Sequence, residues 1–256
     1  MSIVRCNNLR KYFPVIRGLL REERRPVKAV DGVTFSIEKG ETFGLVGESA
    51  SGKTTLGKII LGIIKPDSGE LELATDKFQA IFQDPANSLD PKMRVREIVA
   101  EGLRVCRSNN SRAGLNLPYI DSEVERTLDL VKLPKNAADK YPHQFSGGEK
   151  QRIAIARAII TKPEFIVCDE PVSSLDVTVQ LQILKLLKYI QKDFGITYLF
   201  ISHDLRVIKF MCNRVAVMKQ GKIVEEGKTE SVYSNPSASY TKLLLSSILD
   251  AYPPIR

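Results

Sequence analysis

The sequence predicts an α/β protein: a mixed, mainly parallel sheet with an antiparallel β-subdomain at the N-terminal side and a helical subdomain inserted in the middle. Three observations carry that prediction. An apolar strand pattern, Thr42–Val46, runs into a glycine-rich turn and then a helix pattern beginning at Lys53, the order of the first half of a βαβ unit. Helical periods fill the chain from about Asn87 to Thr161. From Phe165 strands and helices alternate again as far as Glu226.

In chain order, apolar residues alternate through Ile3–Leu9 and Val27–Ile37, which predicts two strands joined by the basic stretch Pro14–Pro26 as a long exposed loop. After the Lys39-Gly40 turn come the strand Thr42–Val46 and a helix from about Lys53 to Ile63. The insert shows helical periods in Val95–Val105, Glu123–Val131 and Glu149–Ile160, broken by the polar run Arg107–Asn116 and by Pro134 and Pro142. There follow strand Phe165–Cys168, helix Val177–Phe194, strand Thr197–Ile201, helix Leu205–Met211, and strands Val215–Met218 and Ile223–Glu226 around Gln220-Gly221. Leu181, Ile183, Leu184, Leu187 and Ile190 form an expected core stripe on the long helix. The expected division is 1–86 with 162–230 as the core and its β-subdomain, 87–161 as the helical subdomain, and 231–256 as a tail.

Composition excludes several classes. With 43% hydrophobic and 27% charged residues the chain can bury a sizeable core, so disorder is not expected. The densest apolar cluster, Ile59–Ile64, falls far short of the roughly 20 residues of a spanning helix, and Met1–Arg10 lacks the apolar core of a signal peptide. A soluble, cytoplasmic protein is the expectation. The net charge of +8 suits a phosphate-bearing ligand, nucleic acid or an anionic membrane face. Cys6, Cys106, Cys168 and Cys212 form no CxxC pair, which argues for reduced thiols packed as small hydrophobes. Asn109-Asn110-Ser111 fits a glycosylation sequon by chance in such a chain.

The glycine-rich turn is chemically specific. Gly47, Glu48, Ser49, Ala50, Ser51, Gly52, Lys53 and Thr54 fit G-x-x-x-x-G-K-[ST], with Thr55 following, between a strand and a helix. Such a loop turns successive N–H groups inward at a helix N-terminus, so a polyphosphate meets fixed donors. Lys53 would reach the β and γ phosphates, and Thr54 would ligate Mg²⁺. Phe165–Glu170 is an apolar run ending in two carboxylates at the carboxyl edge of a strand, where α/β folds bind ligands. Asp169 would hold Mg²⁺ through its water shell, and Glu170 would polarise an attacking water.

Phe145-Ser146-Gly147-Gly148-Glu149 opens a further helix and makes a second anion site from Ser146 and the Gly147 and Gly148 amides; a helix cap is the alternative use of the same residues. One nucleotide already has its cradle at Gly47–Thr54. Two half-sites on one chain suggest that chains pair head to tail.

From Ile3 to about Tyr240 the sequence resembles the ATP-binding-cassette ATPases. The resemblance implies a P-loop ABC ATPase core that uses ATP and Mg²⁺ in a nucleotide sandwich, where Ser146, Gly147 and Gly148 complete the site bearing Lys53 and Glu170 of the partner subunit. It assigns Gln83 to the loop that links Mg²⁺ and the attacking water to the helical insert, and His203 to the γ phosphate. It aligns Asp176 with the loop that touches the opposite subunit, although a helix cap explains that residue equally well. Phe13, or its neighbour Tyr12, falls where the family stacks an aromatic ring on adenine.

Within the family, Phe82–Pro91, Tyr141–Gly148 and the stretch Pro14–Pro26 are similar to the ATPases of oligopeptide, dipeptide and nickel importers. The tail Asn235–Leu244 resembles that group's terminal motif, with Ala238-Ser239 replacing the usual His-Pro. Ala50 stands where a glycine is usual, and Glu149 where a glutamine is common. The resemblance implies a peripheral subunit on the cytoplasmic face of the membrane. Its partners would be two transmembrane permease subunits, a second such ATPase or a copy of itself, and indirectly an extracytoplasmic solute-binding protein, without nucleic acid. The contrasting reading is a cassette ATPase acting on DNA or ribosomes. Against it, the gap from Thr54 to Ser146 is compact and there is one cassette.

Overall fold

The computed structural model describes residues 1–17, 22–108 and 117–251. Along the chain lie β1 (Ser2–Arg17), β2 (Glu22–Glu38), β3 (Thr42–Val46), α1 (Lys53–Ile60), β4 (Ser68–Leu73), β5 (Phe78–Ile81), α2 (Pro85–Ser88), α3 (Val95–Ser108) and α4 (Leu117–Leu130). Two 3-10 turns, Lys135–Asp139 and Pro142–Gln144, lead to α5 (Gly147–Ile159), β6 (Phe165–Asp169), α6 (Val177–Phe194), β7 (Thr197–Ser202) and α7 (Leu205–Met211). The chain continues through β8 (Arg214–Lys219), β9 (Lys222–Lys228), α8 (Thr229–Ser234) and α9 (Ser239–Ala251). It divides into two compact units, one of Met1–Asp76 with the chain from Thr197 onward, the other Lys77–Ile196.

The first unit holds an antiparallel sheet, β2-β1-β4, and the strands β7-β3-β8-β9, parallel except for the β8–β9 hairpin. Every residue of β3 and β7 is buried, which is why these strands read as unbroken apolar runs rather than alternations. β9 is an edge strand, and its residues alternate between exposed and half-buried. Phe35 stacks on Phe43 with ring centroids 5.1 Å apart, and so joins the two sheets. The Arg214 guanidinium lies 5.2 Å from the Phe43 ring and bonds Glu41 at 3.0 Å.

The stretch Pro14–Pro26 departs from the sequence expectation. Its described residues continue the strands rather than form a loop, with Val15 opposite Arg24 and Arg17 opposite Glu22, and residues 18–21 lie outside the described residues. The two prolines fall at the bulge between the pairs Phe13–Val27 and Val15–Arg24, where no ladder hydrogen bond is required of them. The sequence does not anticipate β4, β5, α2, α8 or α9, and α1 stops at Ile60 because Gly62 takes a left-handed φ of 71° just beyond it.

In the second unit β5 and β6 pair in parallel, and helices α3, α4 and α5 bury Val95, Ile98, Val99 and Leu103 against Ile120, Val124, Leu128 and Ile153. Arg157 ties α5 to α2 through the Ser88 carbonyl at 2.6 Å. On α6 the buried stripe is Ile183, Leu184, Leu186, Leu187 and Ile190, whereas Leu181 is 44% exposed. At 100° per residue Leu181 lies nearly opposite the centre of that stripe, which corrects its expected place in the core. Residues 109–116, including the sequon and most of the polar run, lie outside the described residues.

Cys6, Cys168 and Cys212 are buried as free thiols. Burial pushes the Cys6 thiol up to about 12, and burial with the neighbouring Asp169 carboxylate raises Cys168 further. Neither carries thiolate near neutral pH. Cys6 and Cys168 should therefore resist a thiol-labelling reagent at pH 8 in the native protein and react only in denaturant; peptide mass mapping of the labelled chain checks this.

Candidate functional site

In the first unit the residues of Gly47–Thr54 close around a lysine. The Lys53 ammonium, on a side chain left 4% exposed, bonds the Gly47 carbonyl at 2.8 Å, the Glu48 carbonyl at 2.8 Å and the Ser51 hydroxyl at 3.2 Å. Burying a charge without partners is costly, so these oxygens define the loop's shape. The glycines allow it: a Cβ on Gly47 would lie 2.1 Å from the Met218 carbonyl, and one on Gly52 2.0 Å from the Ala29 carbonyl. The Ser51 carbonyl accepts the Gly221 N–H from the β8–β9 turn at 2.9 Å, which fixes the loop to the sheet. Glu48, Ser49, Ala50 and Thr54 are exposed, with Thr54 in the first turn of α1 and Thr55 half-buried beside it.

The register of β3 brings His203 to the same edge. Val46 pairs with Ser202, so Gly47 and His203 leave adjacent parallel strands side by side, and His203 is exposed there. Asp204 follows as the cap of α7 and accepts the Arg206 N–H at 2.8 Å. Farther along β1, the Tyr12 hydroxyl is committed to Asp31 at 2.5 Å, while Phe13 is 37% exposed.

In the second unit Ile81 and Cys168 form the last pair of β5 and β6, so Gln83 and Glu170 each lie two residues past it at one sheet edge. The Ser174 hydroxyl reaches the Gln83 carbonyl at 3.4 Å, linking that segment to the loop after Glu170. Asp169 is 8% exposed at the strand end, and Glu170 takes a left-handed φ of 49°, uncommon for a residue with a side chain. Asp176 caps α6 by accepting the Val179 N–H at 3.0 Å.

Ser146 caps α5, and Glu149 reaches back to it. One Glu149 oxygen accepts the Ser146 N–H at 2.9 Å and its hydroxyl at 2.7 Å, while Gly147 and Gly148 form the first helical turn. Two hydrogen bonds, the backbone N–H first and the hydroxyl second, hold the Glu149 carboxyl below its usual range.

The ABC transporter family pattern matches residues 30–173, more than half of the chain and a span that includes both the phosphate loop and the strand-end carboxylates. The chain belongs to the ABC transporter family. Among curated relatives it is 46% identical to the oligopeptide transport ATP-binding protein OppF of Streptococcus mutans, over 89% of this chain and 77% of that one. It is 41% identical to AppF of Bacillus subtilis, an oligopeptide transport ATP-binding protein, over 96% of this chain and 78% of the other. Solved cassettes share the fold. CbiO1 of Clostridium perfringens, part of the ABC transporter complex CbiONQ, superposes with a TM-score of 0.76 at 25% identity, covering 99% and 96% of the two chains. The dimeric cassette MJ0796, bound to ADP and Pi, does so with a TM-score of 0.74 at 27% identity, covering 88% and 98%.

For this ABC protein the first unit brings together Gly47–Thr55 and His203 at one strand edge, and the second brings Gln83, Asp169 and Glu170 to another, with Asp176 and Ser146–Gly148 at helix starts. One contact had no signal in the sequence: the Tyr240 hydroxyl accepts the Glu48 N–H at 3.3 Å. Only the packing of α9 on the sheet reveals it.

The Glu149 cap generates a pH dependence. A carboxyl depressed in the folded state contributes stability that is complete above its unfolded value of about 4.3 and is lost as pH falls through the lower folded value. The stability advantage of the native protein over Glu149→Gln should be constant from pH 7 to about 5 and shrink steadily below about pH 4. Urea unfolding of both proteins across that range is the measurement.

Proposed function

We propose that this chain is the ATP-hydrolysing subunit of an ABC importer for oligopeptides, seated on the cytoplasmic face of the membrane against two permease subunits and paired with a second cassette. The observation that carries the ATPase reading is the enclosed Lys53: its ammonium is held by loop oxygens that a polyphosphate's oxygens can replace, and the exposed residues of the loop and the start of α1 lie beside it. The cargo reading is supported by the oligopeptide transport proteins that the chain matches over most of its length. Among the described residues no helix is long and apolar enough to cross a membrane.

In the proposed reaction Lys53 exchanges the Gly47 and Glu48 carbonyls for β and γ phosphate oxygens, and the loop N–H groups and the start of α1 hold the rest of the chain of phosphates. Glu170 accepts a proton from water as the water oxygen forms a bond to the γ phosphorus and the bond to the ADP oxygen breaks. His203 and Gln83 orient the γ phosphate and the water. The Thr54 hydroxyl, the Asp169 carboxylate and the Gln83 amide are hard oxygen donors that fit Mg²⁺, which when bound neutralises charge on the bridging phosphates. Phe13 would stack on adenine, since it has the exposed face while the Tyr12 hydroxyl is engaged with Asp31. Ser146, Gly147 and Gly148 of the partner subunit would close the site over the γ phosphate, with Asp176 at the shared boundary. Segment 87–161 would meet the permeases.

Glu170→Gln keeps the size and hydrogen-bonding reach of the side chain but removes the base. It should bind ATP as the native protein does and turn it over at least about 100-fold more slowly, some 3 kcal/mol of barrier. Nucleotide binding and phosphate release measured on the same preparation check both halves, and native turnover by Glu170→Gln would refute the assigned base.

The cargo is tested separately. Cells lacking the gene should lose uptake of labelled di- to pentapeptides and regain it with the native gene but not with Glu170→Gln. Unchanged peptide uptake, with Ni²⁺ chelate uptake lost instead, would assign the other cargo of this importer group.

A further inference from the structure

The tail motif Asn235–Leu244 has no part in the reaction just described, yet it is fastened to the sheet by specific bonds. Glu225 on β9 accepts the Ser237 N–H at 2.7 Å, the Ser237 hydroxyl at 2.9 Å and the Ala238 N–H at 3.1 Å, so the chain enters α9 already pinned. Thr241 is wholly buried, Tyr240 is 6% exposed, and the Lys219 ammonium sits 4.4 Å from the Tyr240 ring centroid. Held in this way, the Tyr240 hydroxyl receives the Glu48 N–H.

That N–H belongs to the peptide group whose carbonyl is Gly47's. One peptide plane of the phosphate loop is therefore gripped on its carbonyl side by Lys53 and on its N–H side by Tyr240. When Lys53 leaves for phosphate, the carbonyl grip is lost. A peptide next to a glycine rotates easily, and a carbonyl turned toward the phosphates would repel them. The Tyr240 grip does not depend on Lys53 and is available in both states.

We propose that Tyr240 is a positioning residue for nucleotide binding: its hydroxyl fixes the Gly47–Glu48 peptide, so that the loop keeps its receptive shape when Lys53 moves to the phosphates, and α9 is thereby part of the nucleotide site. The proposal rests on the reading of Gly47–Thr54 as an ATP site. Burial raises the Tyr240 hydroxyl above its usual range, so it stays neutral at physiological pH.

Tyr240→Phe retains the ring and its contact with Lys219 and removes only the acceptor. The full chain carrying it should bind Mg-ATP about two- to tenfold more weakly, the span of one neutral hydrogen bond, and its KM should rise to match while kcat changes by less than about twofold. Leu243→Ser, at a position 63% exposed on the same helix, should match the native protein in both measurements. Hydrogen exchange adds a second readout: the Glu48 amide should be protected in the native protein, a measurement that needs no variant, and should exchange faster in Tyr240→Phe. Native ATP affinity in Tyr240→Phe, whether or not its melting temperature falls, would reduce the hydroxyl to packing and overturn the proposal, as would an unprotected Glu48 amide in the native chain. A native chain that binds no ATP would overturn the ATPase reading and this proposal together, whereas native binding with an unaffected Tyr240→Phe overturns this proposal alone.

Discussion

The organisation of the first unit follows from one buried charge. The Lys53 ammonium cannot lie within the protein without oxygens around it, and the oxygens around it include carbonyls and a hydroxyl of its own loop. The chain must therefore bend back over its own lysine. It can do so only where Gly47 and Gly52 present no Cβ to the Met218 and Ala29 carbonyls, and those carbonyls are in place because β8 lies beside β3 and β2 reaches the β8–β9 turn through the Asp31 N–H to Gly221 carbonyl bond at 2.8 Å. Central strands buried on both faces hold this arrangement in register. In the proposed function, polyphosphate binding would exchange one set of oxygens around Lys53 for another, so the lysine would not be stripped of partners at any stage.

The second unit solves a different problem, that of aiming acidic groups without burying them unpaired. β5 and β6 end level, so Gln83 and Glu170 emerge together, and the Ser173 N–H and hydroxyl both turn back to the Glu170 carbonyl, at 3.3 Å and 3.2 Å. Those bonds close a tight turn directly after the glutamate. Helix starts nearby in the chain are capped from within, α6 by Asp176 and α5 by Ser146 with Glu149. At Ser146 and Asp176 the structure shows the cap: each side chain accepts an N–H from the first turn of its helix and so fixes that turn.

Much of this was legible in the sequence, for identifiable reasons. Thr42–Val46 and Phe165–Asp169 stand out because strands buried on both faces are continuously apolar, and the glycines of Gly47–Thr54 and Gly147-Gly148 stand out because each group lies within a short contiguous motif. What escaped depended on partners distant in the chain. Prolines 14 and 26 read as loop residues because the bulge that accommodates them exists only when β1 and β2 are paired. β4 is a short edge strand whose residues are largely exposed and whose alternation is confined to Glu70–Leu73, and β5 is half-buried without alternation, so neither gives a strong period. Leu181 is apolar at a helical spacing yet lies exposed on α6. The Tyr240 contact joins residues 192 positions apart and no local pattern encodes it.

Among the non-glycine residues with left-handed backbone conformations are Ala50 and Glu170, at φ 64° and 49°. Each costs about 1–2 kcal/mol relative to a right-handed helical conformation, against a total stability of about 5–15 kcal/mol for a typical domain. Folding alone gives no reason to keep either, since glycine would take the same angles without that cost. At Glu170 a glycine would have no carboxylate, so the strain accompanies a group that must leave the strand at a fixed angle. At Ala50 the side chain is only a methyl, and its effect is to narrow the backbone choices of an exposed loop whose shape Lys53 and Tyr240 hold from two sides. A residue with a Cβ prefers φ below zero, so an Ala at that position raises the cost of holding the left-handed angle, and the bonds of Lys53 and Tyr240 to the neighbouring Gly47–Glu48 peptide help to offset it.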